Sequence, residues 1–111
     1  MKKLVFFSFV TLVVFGCHKS VPNYSVLKKI AKTAGIISEC QLNGQKVYQA
    51  GINAYDAGTI IYSYNGEILG VCNYAWGNVD TICNELLDCN IIYCVKNNIW
   101  GQPAVDIYGL N

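Results

Sequence analysis

Leu4 to Phe15 is an apolar run broken only by Ser8 and Thr11, and it stands behind the two positive charges of Lys2 and Lys3. Such a run is too short to cross a bilayer core, which needs roughly 20 helical residues. A short apolar stretch behind a basic start reads instead as a secretory signal peptide, covering residues 1–16. That reading constrains everything downstream. The rest of the chain is expected to fold without its most apolar segment, and in a compartment where cysteines can oxidise.

The run ends in Val14-Phe15-Gly16-Cys17. This tetrapeptide resembles the lipobox of bacterial lipoproteins: an aliphatic residue, a loosely constrained one, a small one, then cysteine. Phe15 is bulkier than is usual at its position. The resemblance implies that Cys17 carries a thioether-linked diacylglycerol, with palmitate among its acyl chains, and becomes the first residue of the mature chain. Each buried methylene contributes about 0.8 kcal/mol, so two or three acyl chains hold a protein on a membrane stably where one does not.

Cleavage before Cys17 leaves 95 of the 111 residues, the size of one domain. A chain this short buries only about 60–65% of its unfolded surface, and such domains often add cross-links. Charge is unevenly placed. Residues 17–38 hold Lys19, Lys28, Lys29 and Lys32 and no acid, whereas residues 39–111 set Lys46 and Lys96 against seven acids, a net of −5. All eight basic residues are lysines. A nucleic-acid binder needs a basic face, usually with arginine, so that class is set aside. The basic stretch is either a solvated linker or a segment drawn to anionic headgroups, where each lysine is worth about 1 kcal/mol. Within it, Asn23 is placed to cap a helix from Tyr24 to Ala34 that Gly35 closes. Leu27, Ile30, Ala31 and Ala34 fall on one face, to pack on the domain or to lie on the membrane.

Residues 39–111 carry the domain. Thr59 to Tyr64 and Glu67 to Cys72 flank Asn65-Gly66, which favours a two-residue type I′ hairpin because both residues tolerate positive φ. That register pairs Tyr64 with Glu67, Tyr62 with Leu69 and Ile60 with Val71. It predicts that this greasier face meets the core, leaving Ile61, Ser63, Ile68, Gly70 and Cys72 on the other. Gln45 to Ile52 reads as a strand behind an Asn43-Gly44 turn, and Asp56 to Gly58 as a loop. Asp80 or Thr81 is placed to cap a short helix reaching Asp88, with Val79, Ile82, Cys83, Leu86 and Leu87 as its buried stripe. Asn90 to Lys96 reads as a further strand, and Ile99 to Asn111 as a tail strapped across the core. Trp76-Gly77-Asn78-Val79-Asp80 is echoed by Trp100-Gly101 through Val105-Asp106, too briefly to define a repeat. The expected fold is a small α+β domain, a mostly antiparallel sheet with one or two short helices, stabilised by disulfides.

Setting Cys17 aside leaves five cysteines: Cys40, Cys72, Cys83, Cys89 and Cys94. At most two bridges form, with one thiol over. Cys94 sits inside an apolar strand, where a buried thiol behaves as a small hydrophobe, so it is the one expected free. The favoured pairing is Cys72 with Cys83 and Cys40 with Cys89. A structural zinc site usually pairs its ligands as C-x-x-C, a spacing that occurs nowhere here, and the lone histidine, His18, adjoins the lipid. No metal and no cofactor are expected.

With His18 at the anchor, the domain holds no Ser-His or Cys-His pair, and no glycine-rich phosphate loop is present. Carboxylate chemistry stays open in principle through a pair among Asp56, Glu67, Asp80, Glu85, Asp88 and Asp106, but nothing in the sequence marks any two as neighbours. A non-catalytic role is therefore expected. Eight tyrosines and two tryptophans in a chain of low charge favour a binding module on the cell envelope, since these rings bury much area yet keep a polar tip. Tyr55, Tyr64, Tyr74 and Trp76 stand beside predicted turns and are the candidate contacts for a protein or glycan ligand. The alternative is an inhibitor of a secreted hydrolase, of the peptidase or lysozyme class, acting through Asn73 to Asn78 or Asp56 to Gly58.

Residues 40–110 also resemble small lipoproteins of Bacteroidetes-type bacteria for which no activity is established. The likeness lies in Asn53 to Gly58, the Tyr64-Asn65-Gly66 hairpin ending at Cys72, Asn73 to Gly77, and Asn98 to Gly101. Surface-exported members often carry acids just after the lipid cysteine. His18-Lys19-Ser20 has none, which implies a periplasm-facing anchor.

Overall fold

The computed structural model describes residues 23–111. The signal peptide, the lipobox and Cys17 lie outside the described residues.

Among the described residues, one helix and seven strands follow in order. They are α1 (Tyr24–Ala31), β1 (Ile36–Leu42), β2 (Gln45–Gly51), β3 (Thr59–Tyr62), β4 (Ile68–Asn73), β5 (Asn78–Val79), a 3-10 turn (Thr81–Asn84), β6 (Leu87–Cys94) and β7 (Val105–Asp106). The strands form one sheet in the order β5-β4-β3-β2-β1-β6-β7, antiparallel at every pairing. The expectation of a mostly antiparallel sheet with a helix and two disulfides holds.

The hydrophobic core is split across the sheet. Val47 and Tyr48 are neighbours on β2, so their side chains leave opposite faces, and both are buried. On the Tyr48 face, Leu27 and Ile30 of α1 pack with Ile37, Ala50, Ile92 and Leu110. On the Val47 face, Cys40, Leu42, Ile61 and Cys72 pack under Ile82, Cys83 and Leu86. Of the two placements open for the helix, α1 takes the first: Leu27 is fully buried against the sheet. The helix is shorter than expected, and Asn23 does not cap it through its side chain. Asn23 adopts left-handed backbone, and its amide donates to the Tyr64 carbonyl, fastening the helix start to the β3–β4 hairpin. The folded unit thus includes α1 and begins its sheet at Ile36, ahead of the boundary drawn at residue 39.

Two turns separate the predicted hairpins. Asn43 and Gly44 both hold positive φ (52° and 80°), the two-residue I′ geometry, and β1 pairs with β2 from Leu42↔Gln45 to Ile36↔Gly51. The Asn65-Gly66 turn departs from prediction. The Ser63 hydroxyl accepts from the Asn65 and Glu67 amides at 3.2 and 3.1 Å, and Gly66 N donates to the Ser63 carbonyl at 2.9 Å. The turn therefore begins at Ser63 and adds a bulge. Ile60 faces Val71 as expected, but Tyr62 faces Ile68 rather than Leu69.

The face assignment of this hairpin is corrected too. Ile61 and Cys72 are buried, whereas Leu69 and Val71 are exposed. The reason is close approach. A Cβ on Gly70 would lie 2.8 Å from Cδ1 of Ile82 and 3.1 Å from Oδ2 of Asp80, so glycine there lets both side chains lie close on that face. The segment is one turn of 3-10 helix, shorter than predicted. Asp80 at its start makes no side-chain cap; its Oδ2 instead accepts from the Val71 amide at 2.8 Å, on β4. Leu87 leaves the predicted buried stripe, standing exposed at the start of β6.

Cys40 is bonded to Cys89 and Cys72 to Cys83, the pairing favoured above, and Cys94 is free and buried. The first bridge spans 49 residues of sequence and the second 11. Loop-closure entropy then assigns about 4 kcal/mol to the first and about 3 kcal/mol to the second. Replacing each pair by alanine and measuring denaturant unfolding is expected to show the larger loss for Cys40/Cys89.

Burial raises the Tyr48, Tyr93 and Tyr108 phenols above the ordinary tyrosine range. For Tyr48 the charge of Glu39 adds to burial, for Tyr93 that of Asp106, and for Tyr108 the hydrogen bond to Glu39. A raised folded pKa favours the neutral phenol in the folded state. The associated stability is complete below about pH 10, the unfolded value, and is lost as pH rises through the folded values. An alkaline titration followed by tyrosine absorbance and near-UV dichroism is expected to show a late-ionising group of tyrosines that titrates together with unfolding.

Candidate functional site: the aromatic loop pole

Three connections meet at one end of the sheet: residues 52–58 between β2 and β3, 74–77 between β4 and β5, and 95–104 between β6 and β7. Asparagine side chains fix them. Asn73 donates from Nδ2 to the Asp56 carbonyl at 3.1 Å and accepts from the Trp76 amide at 3.1 Å. The Trp76 indole N–H donates to the same Asp56 carbonyl at 3.1 Å. Asn53 Oδ1 accepts from the Ile99 amide at 2.8 Å, joining the first loop to the third. Asn98 holds the third loop internally, donating to the Val95 and Gln102 carbonyls and accepting from the Trp100 and Gln102 amides.

Between these loops lies a groove of 330 Å³, lined by Gln49, Ile52, Tyr55, Thr59, Tyr74 and Trp100 among others. Tyr55 is 80% exposed, Tyr74 66% and Trp76 69%. Asp56 is the one charged residue in the lining. Gln49 is committed within the sheet, its Nε2 donating to the Thr59 hydroxyl at 2.9 Å. The pole therefore offers ring faces and phenol hydroxyls rather than charge.

Three of the four candidate contacts, Tyr55, Tyr74 and Trp76, are brought together here. Tyr64 is not. It lies at the opposite end of the sheet, in the β3–β4 hairpin, stacked on Tyr48 with ring centroids 6.2 Å apart. Sequence reasoning missed Trp100 and the three asparagines. The signal was the echo of Trp76-Gly77 in Trp100-Gly101. In each case an upstream asparagine accepts from the tryptophan amide, and the following glycine holds positive φ (79° and 66°).

A second groove, of 390 Å³, runs between α1 and the β3–β4 hairpin, past Val26, Lys29 and Tyr62. Burial raises the pKa of the Cys94 thiol, which disfavours the reactive thiolate. Among the described residues no group of three or more His, Cys, Asp or Glu is placed to hold a metal ion, and no helix is long and apolar enough to cross a membrane.

Comparison with family models, with curated proteins and with solved structures found no match to this chain.

Asn73→Ala removes the amide bond from the second loop to the Asp56 carbonyl and the turn bond to the Trp76 amide within the second loop, and leaves the Trp76 indole bond to Asp56 in place. Each exposed bond contributes about 0.5–1.5 kcal/mol. The expected outcome is a modest fall in melting temperature, with faster amide hydrogen exchange confined to residues 52–58 and 74–78.

Proposed function

We propose that this protein is a lipid-tethered module of the bacterial cell envelope, held by acyl chains on Cys17 and facing the periplasm, that binds a protein or glycan ligand at its aromatic loop pole without catalysing a reaction. The observation that carries the reading is the side-by-side exposure of Tyr55, Tyr74 and Trp76 on loops that are themselves pinned. Exposed apolar surface concentrated in one place marks interaction sites. Loops fixed in advance lower the ordering cost of binding. Tyr and Trp are the side chains most often found to dominate binding energy. The lipobox resemblance supports the tether.

A second reading is favoured by one feature of the same loops. Asn73 holds residues 73–76 in a fixed turn with Trp76 exposed near its tip, the kind of rigid projection that an inhibitor of a secreted peptidase or lysozyme presents to its target.

Tyr55 and Tyr74 make no side-chain hydrogen bond among the described residues, so Tyr55→Ser with Tyr74→Ser is expected to leave the melting temperature nearly unchanged. Retention on purified envelope polysaccharide, peptidoglycan and envelope proteins is expected to fall on the order of tenfold or more in the double variant. A panel of secreted peptidases and lysozymes, assayed with both proteins, separates inhibition from passive binding. Equal retention of both proteins on every ligand, with no inhibition, would remove the site.

A further inference from the structure

The lysines of α1 are not absorbed by the binding role. Lys28, Lys29 and Lys32 are all exposed. At 100° per residue they cluster directly opposite the stripe of Leu27, Ile30 and Ala34 that faces the sheet. Helix α1 holds no acid in its first turn. None of the three lysines joins an ion pair among the described residues, where the single salt bridge is Lys46 with Glu39. Lys28 rests against the Tyr24 ring, 5.5 Å from its centroid, and so remains on the outer surface.

The opposite side of the sheet has the opposite charge. There the 3-10 segment covers the core, and Asp80 and Glu85, which flank it, are exposed. Glu39 and Asp106 also lie on the α1 side, but both are half-buried and held by local partners, Glu39 by Tyr108 and Lys46 and Asp106 by the Leu110 and Asn111 amides, so the outermost charge there is that of the α1 lysines. The chain enters α1 seven residues after Cys17, and seven residues reach at most about 25 Å.

We infer that the outer face of α1 docks on an anionic phospholipid bilayer, the membrane to which Cys17 is tethered, and so sets the orientation of the whole domain. Lysines near such a surface each raise partition roughly fivefold, so three together give on the order of 100-fold. The acids across the sheet are repelled, which leaves one favoured face. Helix α1 runs from the hairpin end, where Asn23 meets Tyr64, to the loop end, where Gly35 meets Asn53. With its outer face on the bilayer, the sheet lies over the membrane and the aromatic pole opens along the surface rather than away from it. Cys17 lipidation, as proposed above, supplies proximity; the docking itself belongs to the described lysines.

The native lysines report the outcome. The chain purified from membranes is mixed with phosphatidylcholine vesicles, with or without about one-third phosphatidylglycerol. It is then labelled briefly with an amine-reactive ester and mapped by mass spectrometry. Lys28, Lys29 and Lys32 are expected to label several-fold more slowly on the anionic vesicles, Lys96 in the loop between β6 and β7 at an unchanged rate, and the difference to vanish at high salt. In Lys29→Glu with Lys32→Glu, both on exposed helix surface, Lys28 is expected to label at the neutral-vesicle rate. Equal labelling of the α1 lysines on both vesicles overturns the proposal, as does equal protection of Lys96. Failure to float with neutral vesicles counts against the lipid tether alone, because protection on anionic vesicles still judges the docking.

Discussion

The structure depends on the pairing of β1 with β6. The β1–β2 and β3–β4 pairs form from adjacent sequence, but β1 and β6 join residues some fifty positions apart, a closure that costs chain entropy before any contact rewards it. Cys40 on β1 is bonded to Cys89 on β6, so the oxidised chain carries part of that closure even when unfolded. The pairing is not regular. Between Glu39↔Asn90 and Gln41↔Leu87 the β6 side has one extra residue, and another lies between Ile37↔Tyr93 and Ser38↔Ile91. Asp88 takes a positive φ at the first bulge. The second bulge explains how consecutive residues, Ile92 and Tyr93, both reach the core. Because β6 leads into the loop carrying Ile99 and Trp100, this pairing also brings the third loop against Asn53 and completes the groove.

Strand β1 is the element least visible in the sequence, although it is central. Ser38, Glu39 and Gln41 interrupt its apolar residues, and the preceding lysines make the region look like a linker. Glu39 is tolerated on a part-buried face because the Tyr108 hydroxyl donates to it at 2.9 Å and Lys46 lies 3.6 Å away. Both partners come from other strands or the tail, so no local pattern announces them. The helix, the strand after Asn43-Gly44, the two strands flanking Asn65-Gly66 and the disulfide pairing were legible because each rests on local pattern or on the position of a cysteine within it. The buried face of the β3–β4 hairpin was misread for the opposite reason. Counting apolar side chains favoured the face of Leu69 and Val71. Burial went to the face whose small residue, Gly70, admits a covering segment tied down by Cys72–Cys83.

The Trp-Gly echo is structural as well as sequential. Trp76-Gly77 leads into β5 and Trp100-Gly101 into β7, the two-residue strands at the opposite edges of the sheet. Short edge strands limit the exposed backbone on which another chain could pair. Each echo ends in Val-Asp, and each aspartate accepts backbone amides. Asp80 takes Val71 N, and Asp106 takes Leu110 N and Asn111 N at 2.7 and 3.0 Å. The same short string thus turns the chain, starts an edge and fixes what lies beside it, once at each edge of the sheet.

The division of labour at the loop pole follows from that economy. Asn53, Asn73 and Asn98 spend their amides on backbone partners, so the polar groups that could read a ligand by direct hydrogen bonds are largely committed to holding the loops. What remains free is the area of Tyr55, Tyr74 and Trp76. At the other end the same residue type behaves differently. Tyr64 stacks on Tyr48, and its carbonyl anchors the start of α1. Placement beside a turn therefore does not distinguish a recognition residue from a packing one. What distinguishes them is whether a neighbouring element holds the ring, and at the hairpin end β2 does, through Tyr48.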